Sequence, residues 1–495
     1  MGISYNIETG KEKAISGSAW SNREKIGFRF VFLFILLLVF PLRWEWYNEL
    51  FSSSSVHEFL NTLTGGSRFN LLIQIQTESG RWGLASYASW GLTALVALLL
   101  ATVWTIVVGK NVGRSYPALY YWLHVFVRYR LAIGLIAFGF IKFFPMQMPF
   151  PSIANLNTSL GDYAPFKLYW QIVGVSFRYE IFLGFLEIAI GILFFFRSTT
   201  VIGAIATIGV LFNIAHANLA YDGAVHNYAS YFVLLSVFVL ALYIPNIWRL
   251  FIKGETVRPI YYRPQVNAKW VKAAYIGGKS LFIFVFVVVY GYGAYDLIYN
   301  QGKRKEPVVA GLPHAAGYYE VKRFVLNGDT LPYSARDSVR WHEAIFERYS
   351  TFAYKVNKEL YIDITNGGAQ TGDLLKNYEF TGRAGGYTYL YYEIDTAENL
   401  LYLVDKHQLF YPRGYNKRFN HQNEVNLKEL YGTAVGNDIQ ILRWSYERLT
   451  KESIQLSGID PNQDSISVLL ERIKPDYPIG KGWYSKSNVY SYQVD

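Results

Sequence analysis

The chain contains no cysteine among its 495 residues. This absence excludes disulfide bridges, an iron–sulfur cluster held by cysteine and an internal thiol relay. Any redox chemistry must therefore use a borrowed cofactor. The sequence also lacks a glycine-rich phosphate loop, a serine nucleophile elbow, a zinc-binding His-Glu helix and a glycosidase-like carboxylate pair. No repeat with a period of about 20 to 50 residues is visible.

Charged residues are scarce as well, at 17%, whereas hydrophobic residues make up 52% and aromatic residues 18% of the chain. This composition is typical of a membrane protein with a soluble appendage. Seven apolar runs approach the roughly 20 residues that cross about 30 Å of hydrocarbon as a helix. They are residues 28–40, 85–108, 123–144, 181–196, 201–217, 228–244 and 273–294. We therefore predict a multi-pass α-helical bundle of about seven spans over residues 26–298.

Lysine and arginine give an orientation, because loops on the cytoplasmic side of a membrane carry the excess of these residues. They concentrate in residues 11–29, 110–114, 197 and 249–272, which share one side if seven spans alternate. We predict a bacterial cytoplasmic (inner) membrane protein with residues 1–25 inside and everything after about Asn300 outside. The net charge of +10 is explained by these loops, so nucleic acid is not an expected partner.

Beyond Asn300 the apolar runs shorten and turn residues recur between them. This pattern predicts an extracytoplasmic antiparallel β domain over residues 299–495, with an up-and-down barrel resembling a lipocalin as the first choice. The predicted strands are residues 318–325, 344–348, 351–356, 360–364, 377–381, 387–394, 400–404, 438–442 and 465–472, and the predicted helices are residues 420–430 and 443–449. Aromatic residues of this domain could line a barrel pocket, although core packing explains them more simply; they are Trp341, Tyr387, Tyr389, Tyr391 and Tyr392, beside Arg340 and His342.

Two acidic residues lie within the fourth apolar run or at its start. Glu180 and Glu187 are seven residues apart and share one helix face with Gly184 and Gly191. Such a stripe lets another helix or a flat ligand approach closely. Glu187 is therefore either a polar contact between helices or a functional acid, and Glu180 could pair with Arg178.

Polar residues from several other segments are predicted to meet these two acids at the outer membrane face. Ionisable groups near hydrocarbon are costly and commonly mark function. The candidate catalytic residues are Glu187, His216, Asp222 and His226, and the candidate ligand-binding residues are Lys142, Gln147, Arg178, Glu180, Asn213, Asn218 and Tyr221. We expect one cavity, roofed by the loop of residues 145–177, with Glu187 deeper on its wall.

Histidines His124, His216 and His226 raise the alternative of a haem held between facing helices. Haem is not expected, because the predicted topology places His124 towards the cytoplasmic face and the other two towards the outer face. His216 and His226 could still share a metal, but ten residues across a turn is not a specific ligand spacing.

Residues 121–250 resemble the bacterial DoxX-like integral membrane proteins. The resemblance rests on residues 142–149 (Lys-Phe-Phe-Pro-Met-Gln-Met-Pro), residues 184–187, Arg197, Asn213, Asn218, Tyr221, Asp222 and Tyr228. Residues 317–321 and 327–332, with Arg340 and Trp341, are similar to the barrel-like tail of some of these proteins. The resemblance implies about four core helices and an association with quinone-linked or oxidative-stress redox chemistry. His226 stands where lysine is common and His216 where an apolar residue is usual.

Two functional hypotheses follow. The first is a DoxX-like component of a redox system, a quinone-linked oxidoreductase subunit if it is an enzyme, that binds a quinone or similar isoprenoid head group at the outer leaflet. In this hypothesis the ring oxygens exchange protons with His216, His226 and Asp222. Glu187 relays charge, and the head group is oriented by Asn213 and Asn218. The second is a non-catalytic envelope assembly or lipid-binding protein whose barrel captures a partner. Both place the chain in the lipid bilayer beside an envelope or redox protein.

Overall fold

The chain folds into two compact units. The computed structural model describes residues 20–66, 84–109, 116–221, 223, 225–257, 268–358, 372–380, 386–410, 426–432 and 439–481. The first unit comprises Met1–Phe143 and Leu183–Tyr295, and the second comprises Phe144–Phe182 and Asp296–Asp495. The second unit therefore includes an internal segment, residues 144–182, that follows one helix of the bundle and leads into another.

Helices dominate the chain up to residue 299. They are α1 (Asn22–Val39), α2 (Trp44–Phe51), α3 (Val56–Thr64), α4 (Ala88–Val108), α5 (Pro117–Phe143), α6 (Ile153–Leu156), α7 (Pro165–Val175), α8 (Phe177–Leu193), α9 (Thr200–Ala220), α10 (His226–Ala241), α11 (Ile244–Phe251) and α12 (Lys269–Tyr299). A π-helical turn, Val285–Val289, interrupts α12. The short helices α6 and α7 belong to the second unit.

Four of the described helices, α4, α5, α9 and α12, are long and apolar enough to cross a membrane. The number rises to six if the bent pairs α1–α2 and α10–α11 each form one span; their bends are 46° and 69°. Pro41 and Pro245 lie at these bends, where a missing N–H group interrupts helical hydrogen bonding. Helix α8 has 17 residues and is not among the four. The predicted count of seven spans is thus not confirmed.

Glycines allow α5 and α8 to pack closely. A Cβ atom added at Gly184 would lie 2.3 Å from the backbone nitrogen of Phe143 and 2.6 Å from the carbonyl oxygen of Gly139. One added at Gly191 would lie 2.9 Å from the carbonyl oxygen of Ala132. The predicted glycine stripe on α8 therefore receives another helix, since no larger side chain fits at either position.

The C-terminal part of the second unit is a closed antiparallel barrel of eight strands. Its strands are β1 (Gly317–Leu326), β3 (Glu343–Phe346), β4 (Thr351–Lys355), β5 (Tyr387–Asp395), β6 (Leu400–Asp405), β7 (Ile441–Arg448), β8 (Ser453–Ile459) and β9 (Ser465–Ile473), while the two-residue β2 (Asp329–Thr330) extends β1 in a hairpin. Each strand pairs with the next, and β1 pairs with β9 to close the barrel. The predicted barrel is confirmed.

The barrel interior is filled by side chains. Trp341, Phe352, Tyr392 and Trp444 belong to one buried cluster to which every barrel strand contributes. Trp341 stacks on Tyr354 with ring centroids 4.3 Å apart. Eight strands leave an interior about wide enough for side chains alone. Of the predicted pocket residues, Trp341 and Tyr392 therefore form a packed core.

Some local predictions for this unit were wrong. Residues 443–449 were predicted as helix but lie mostly in strand β7, in which Leu442 and Trp444 are buried whereas Arg443 and Ser445 are exposed. Charged residues on the outer surface of a barrel strand mimic the polar face of a helix. Residues 378–380 form a turn where a strand was predicted. Residues 360–364 lie outside the described residues, and only Leu427–Leu430 of the predicted 420–430 helix is described.

The internal segment covers the outer surface of β3, β4 and β5. Ile153 and Ala154 of α6 pack against outward-facing residues that include Tyr387 and Tyr389. The carboxylate of Glu347 accepts hydrogen bonds from the N–H groups of Ile153 (3.0 Å) and Ala154 (2.8 Å). The segment is thus attached to the barrel by apolar packing and by a buried charge.

Candidate functional site

The first unit holds an ion pair between α5 and α8. Lys142 donates to both carboxylate oxygens of Glu187, at 2.7 and 3.0 Å, and both side chains are buried. The ammonium also lies 5.1 Å from the ring centroid of Phe138. The two charges satisfy each other between closely packed helices, as expected for a polar contact within a bundle. A catalytic role for Glu187 stays a prediction.

The turn between α9 and α10 holds a separate group. His226 is buried at the start of α10, and its Nδ1 lies 3.1 Å from the hydroxyl of Tyr87. That hydroxyl lies 2.9 Å from Ser230 Oγ. Asn218 is buried and donates to the carbonyl oxygen of Ile214 at 2.8 Å. Tyr221 is exposed, and Asp222 lies outside the described residues.

His216 and Asn213 lie on a different face of α9 from Asn218. Both are exposed, whereas Asn218 is buried. The exposure of His216 argues against a single cavity shared with the buried Glu187, and that cavity stays a prediction. His124, the third histidine considered for haem, is buried and donates to the carbonyl oxygen of Val239 at 3.0 Å. The three histidines therefore occupy three different environments.

A small pocket lies within the second unit, where the internal segment meets the chain that enters the barrel. Its polar lining consists of Gln147, Lys167, Trp170, Gln171 and Lys305, with Phe166 and Met148 among its apolar walls. The cavity is partly open and has a volume of about 40 Å³. Since one water needs roughly 10–15 Å³ on this measure, it has room for a few waters or the polar edge of a larger molecule.

Two charged residues hold the pocket wall in place. Glu180, which is fully buried in the first turn of α8, accepts hydrogen bonds from the N–H groups of Gln147 and Met148, both at 3.1 Å. Lys305 donates to the carbonyl oxygen of Gln147 at 3.0 Å. Of the predicted site residues, Glu180 and Gln147 are thus brought together, whereas Arg178 is exposed.

The pocket offers hydrogen-bond donors and one acceptor. Trp170 Nε1 and Gln147 Oε1 are buried and have no hydrogen-bond partner among the described groups. Lys167 donates to the carbonyl oxygen of Tyr378. Burial lowers the pKa of Lys305 to about 8, against the opposing effect of Glu180 and Glu306. Such a set suits oxygen atoms of a ligand, which can accept from the indole and ammonium groups.

The sequence alone missed Lys167, Trp170 and Lys305 as pocket residues. Trp170 lies in α7, within the predicted loop of residues 145–177. That segment is rich in proline and aromatic residues, but its composition does not mark one indole as a ligand-binding group. Lys305 follows Lys303 and Arg304 near the start of the predicted β domain. A cluster of basic residues at a domain boundary does not by itself indicate a ligand site.

The sequence matches no protein-family model, no curated protein and no solved structure, so the resemblance to the DoxX-like proteins stays a proposal.

Proposed function

We propose that the protein is a DoxX-like membrane component that binds the oxygen-bearing head group of a quinone or a similar isoprenoid at the outer leaflet. The observation that carries this proposal is the pocket of the second unit, which Lys305 also lines and in which Trp170 Nε1 and Gln147 Oε1 are buried with no hydrogen-bond partner among the described residues. Ligand pockets commonly combine apolar walls with a few convergent polar groups.

Chain connectivity favours a ligand that is anchored in the membrane. Gln147 follows the last residue of α5 by four positions, and four residues span at most about 14 Å. Trp170 precedes α8 by seven positions. Most of the pocket lining thus belongs to a segment tied at each end to a bundle helix, within reach of an isoprenoid whose tail lies in lipid.

The polar groups match both oxidation states of a quinone edge. A quinone carbonyl accepts from Trp170 Nε1 and Lys305, whereas a hydroquinone hydroxyl can donate to Gln147 Oε1. The cavity of about 40 Å³ holds this edge and not the complete ring. A redox role rests on the resemblance. Because the chain has no cysteine, electrons would come through a borrowed cofactor or a partner and not through a thiol of its own.

Quinone binding to the purified full-length protein tests this proposal. Mass spectrometry would quantify isoprenoids retained after gentle detergent purification, and a short-chain quinone would be titrated by equilibrium binding. We expect Trp170→Phe, which keeps an aromatic ring but removes the indole N–H donor, to weaken binding roughly fivefold. Lys305→Met should weaken it tenfold or more. The matched control is Lys322→Met, which removes an exposed lysine from the barrel surface and should leave binding unchanged.

The pH dependence gives a second readout. The pKa of Lys305 is lowered to about 8, so raising the pH through 8 removes its charge and one strong donor. Binding should therefore weaken above about pH 8 in the wild type, and less so in Lys305→Met. A wild-type protein that neither retains nor binds quinone, or variants that bind as tightly as the wild type, would refute the proposal.

The alternative function is a non-catalytic envelope assembly or lipid-binding protein. The filled interior of the barrel speaks against a lipid carried inside it, so the barrel would act through its outer surface. A purified sample that carries stoichiometric lipid or a protein partner in place of quinone would favour this alternative.

A further inference from the structure

Helix α9 carries a polar face that nothing in the described chain covers. Gly209, Asn213 and His216 follow one another at spacings of four and three residues, so they lie on one side of the helix. All three are exposed, and Ile205 and Phe212 beside them are 52% and 63% exposed. The buried residues of α9, which include Ala204, Thr207, Leu211 and Ala215, lie on its other side.

The depth of Asn213 makes its exposure costly. Asn213 lies seven residues before the end of α9 at Ala220 and thirteen after its start at Thr200. At about 1.5 Å per residue, the amide is roughly 10 Å from one end of the helix and roughly 20 Å from the other. If α9 crosses the membrane, this polar group lies within hydrocarbon, where neither water nor lipid tails supply hydrogen bonds and a partner helix can.

We propose that this face of α9 binds the same face of α9 in a second copy of the chain. Two copies inserted in the same direction are related by an axis along the membrane normal, so residues of equal depth meet. An asparagine amide both donates and accepts, and two facing Asn213 side chains therefore satisfy each other. Gly209, whose added Cβ would have no neighbour within 4 Å, lets the two backbones approach closely one turn away.

His216 extends the same interface. It lies one turn beyond Asn213, and a neutral imidazole also has one donor and one acceptor, so it too can pair with its own copy. The inference depends on α9 crossing the membrane and is independent of the pocket, whose residues all belong to the second unit.

Disulfide cross-linking in membranes tests the contact directly, because the chain has no cysteine of its own. Single variants Ile205→Cys and Phe212→Cys place a thiol on the proposed face, and Leu99→Cys, which is 60% exposed on α4, is the matched control. Oxidation should give a covalent dimer from the two α9 variants and little from the control. Cross-linking of the α9 variants that does not exceed the control would overturn the proposal.

The role of the amide is tested by mass measurement of the full-length protein in lipid nanodiscs or mild detergent over a range of concentrations. Asn213→Leu should raise the dissociation constant of the dimer about five- to thirtyfold, whereas Asn213→Gln should keep the dimer. Neither change is expected to unfold the chain, since the Asn213 side chain is exposed and forms no hydrogen bond with the described residues. A wild type that stays monomeric, or one whose α9 face is covered by lipid or by a different protein, would refute self-association.

Discussion

Glu187 and Lys142 illustrate how one residue depends on its partner. Removing one member of a buried ion pair leaves an uncompensated charge and typically costs about 3–5 kcal/mol, whereas replacing both by apolar residues is often neutral. We expect Glu187→Leu and Lys142→Met each to lower the thermal stability of the full-length protein in detergent, and the double variant to recover most of the loss. A double variant that folds but no longer retains a bound head group would instead assign the Lys142–Glu187 pair a functional role.

Glu347 should make the stability of the second unit depend on pH. Burial, with a smaller contribution from nearby Glu379, raises its pKa from 4.5 to about 7, although the N–H groups of Ile153 and Ala154 oppose this shift. The folded state therefore binds this proton more tightly than the unfolded state between pH 4.5 and 7, and the free energy of unfolding falls as the pH rises through that window. The Glu347→Gln variant has no carboxyl group at this position and therefore lacks this contribution to the pH dependence.

Thermal melts of the full-length protein and of Glu347→Gln between pH 4.5 and 8 measure this effect. The difference between their melting temperatures should change across the window, with the wild type losing more stability as the pH rises. Parallel curves would contradict the prediction.

At the scale of elements, the packing of α5 on α8 depends on single glycines. Gly184→Ala would place Cβ 2.3 Å from a backbone nitrogen of α5, which cannot rotate away, so the helices must separate. We expect a loss of about 1–3 kcal/mol, measured as a lower melting temperature in detergent. The control is Gly277→Ala in α12, where an added Cβ meets nothing within 4 Å. Equal melting temperatures for the two variants would contradict this account.

Elements with a clear periodicity could be predicted from the sequence, and the pocket could not. The apolar runs of the bundle and the alternating strands β1 and β9 follow from local patterns, as does the aromatic run of β5. Strand β7 was mistaken because its outward residues carry charge. The pocket joins Gln147 to Lys305 across 158 residues, and only the folded barrel and the internal segment packed on it bring them together.

At the scale of the whole molecule, the side of the barrel depends on whether α8 crosses, if the helical unit spans a membrane. It runs antiparallel to α5: Gly184 lies beside Phe143, Gly191 beside Ala132, and Arg128 donates to the carbonyl oxygen of Phe194 at 2.8 Å. These contacts cover about 22 Å of α5. If α5 crosses the membrane, α8 therefore crosses most of the way back despite its 17 residues.

Counting α8 as a crossing would give seven spans, for which the lysine and arginine bias predicts that the barrel lies outside. Single-cysteine labelling of intact cells with a membrane-impermeant maleimide tests this without background, because the chain has no cysteine. Cysteines would replace Ser53, which is partly exposed between α2 and α3, and two exposed residues, Ser198 between α8 and α9 and Ser445 in β7. We expect labelling at 53 and 445 but not at 198.

If α8 only enters the membrane and turns back, the chain has six crossings, and labelling appears at 198 and disappears at 445. Loss of labelling at 53 would show instead that the segment between α2 and α3 lies inside, which contradicts the orientation predicted from the charge bias.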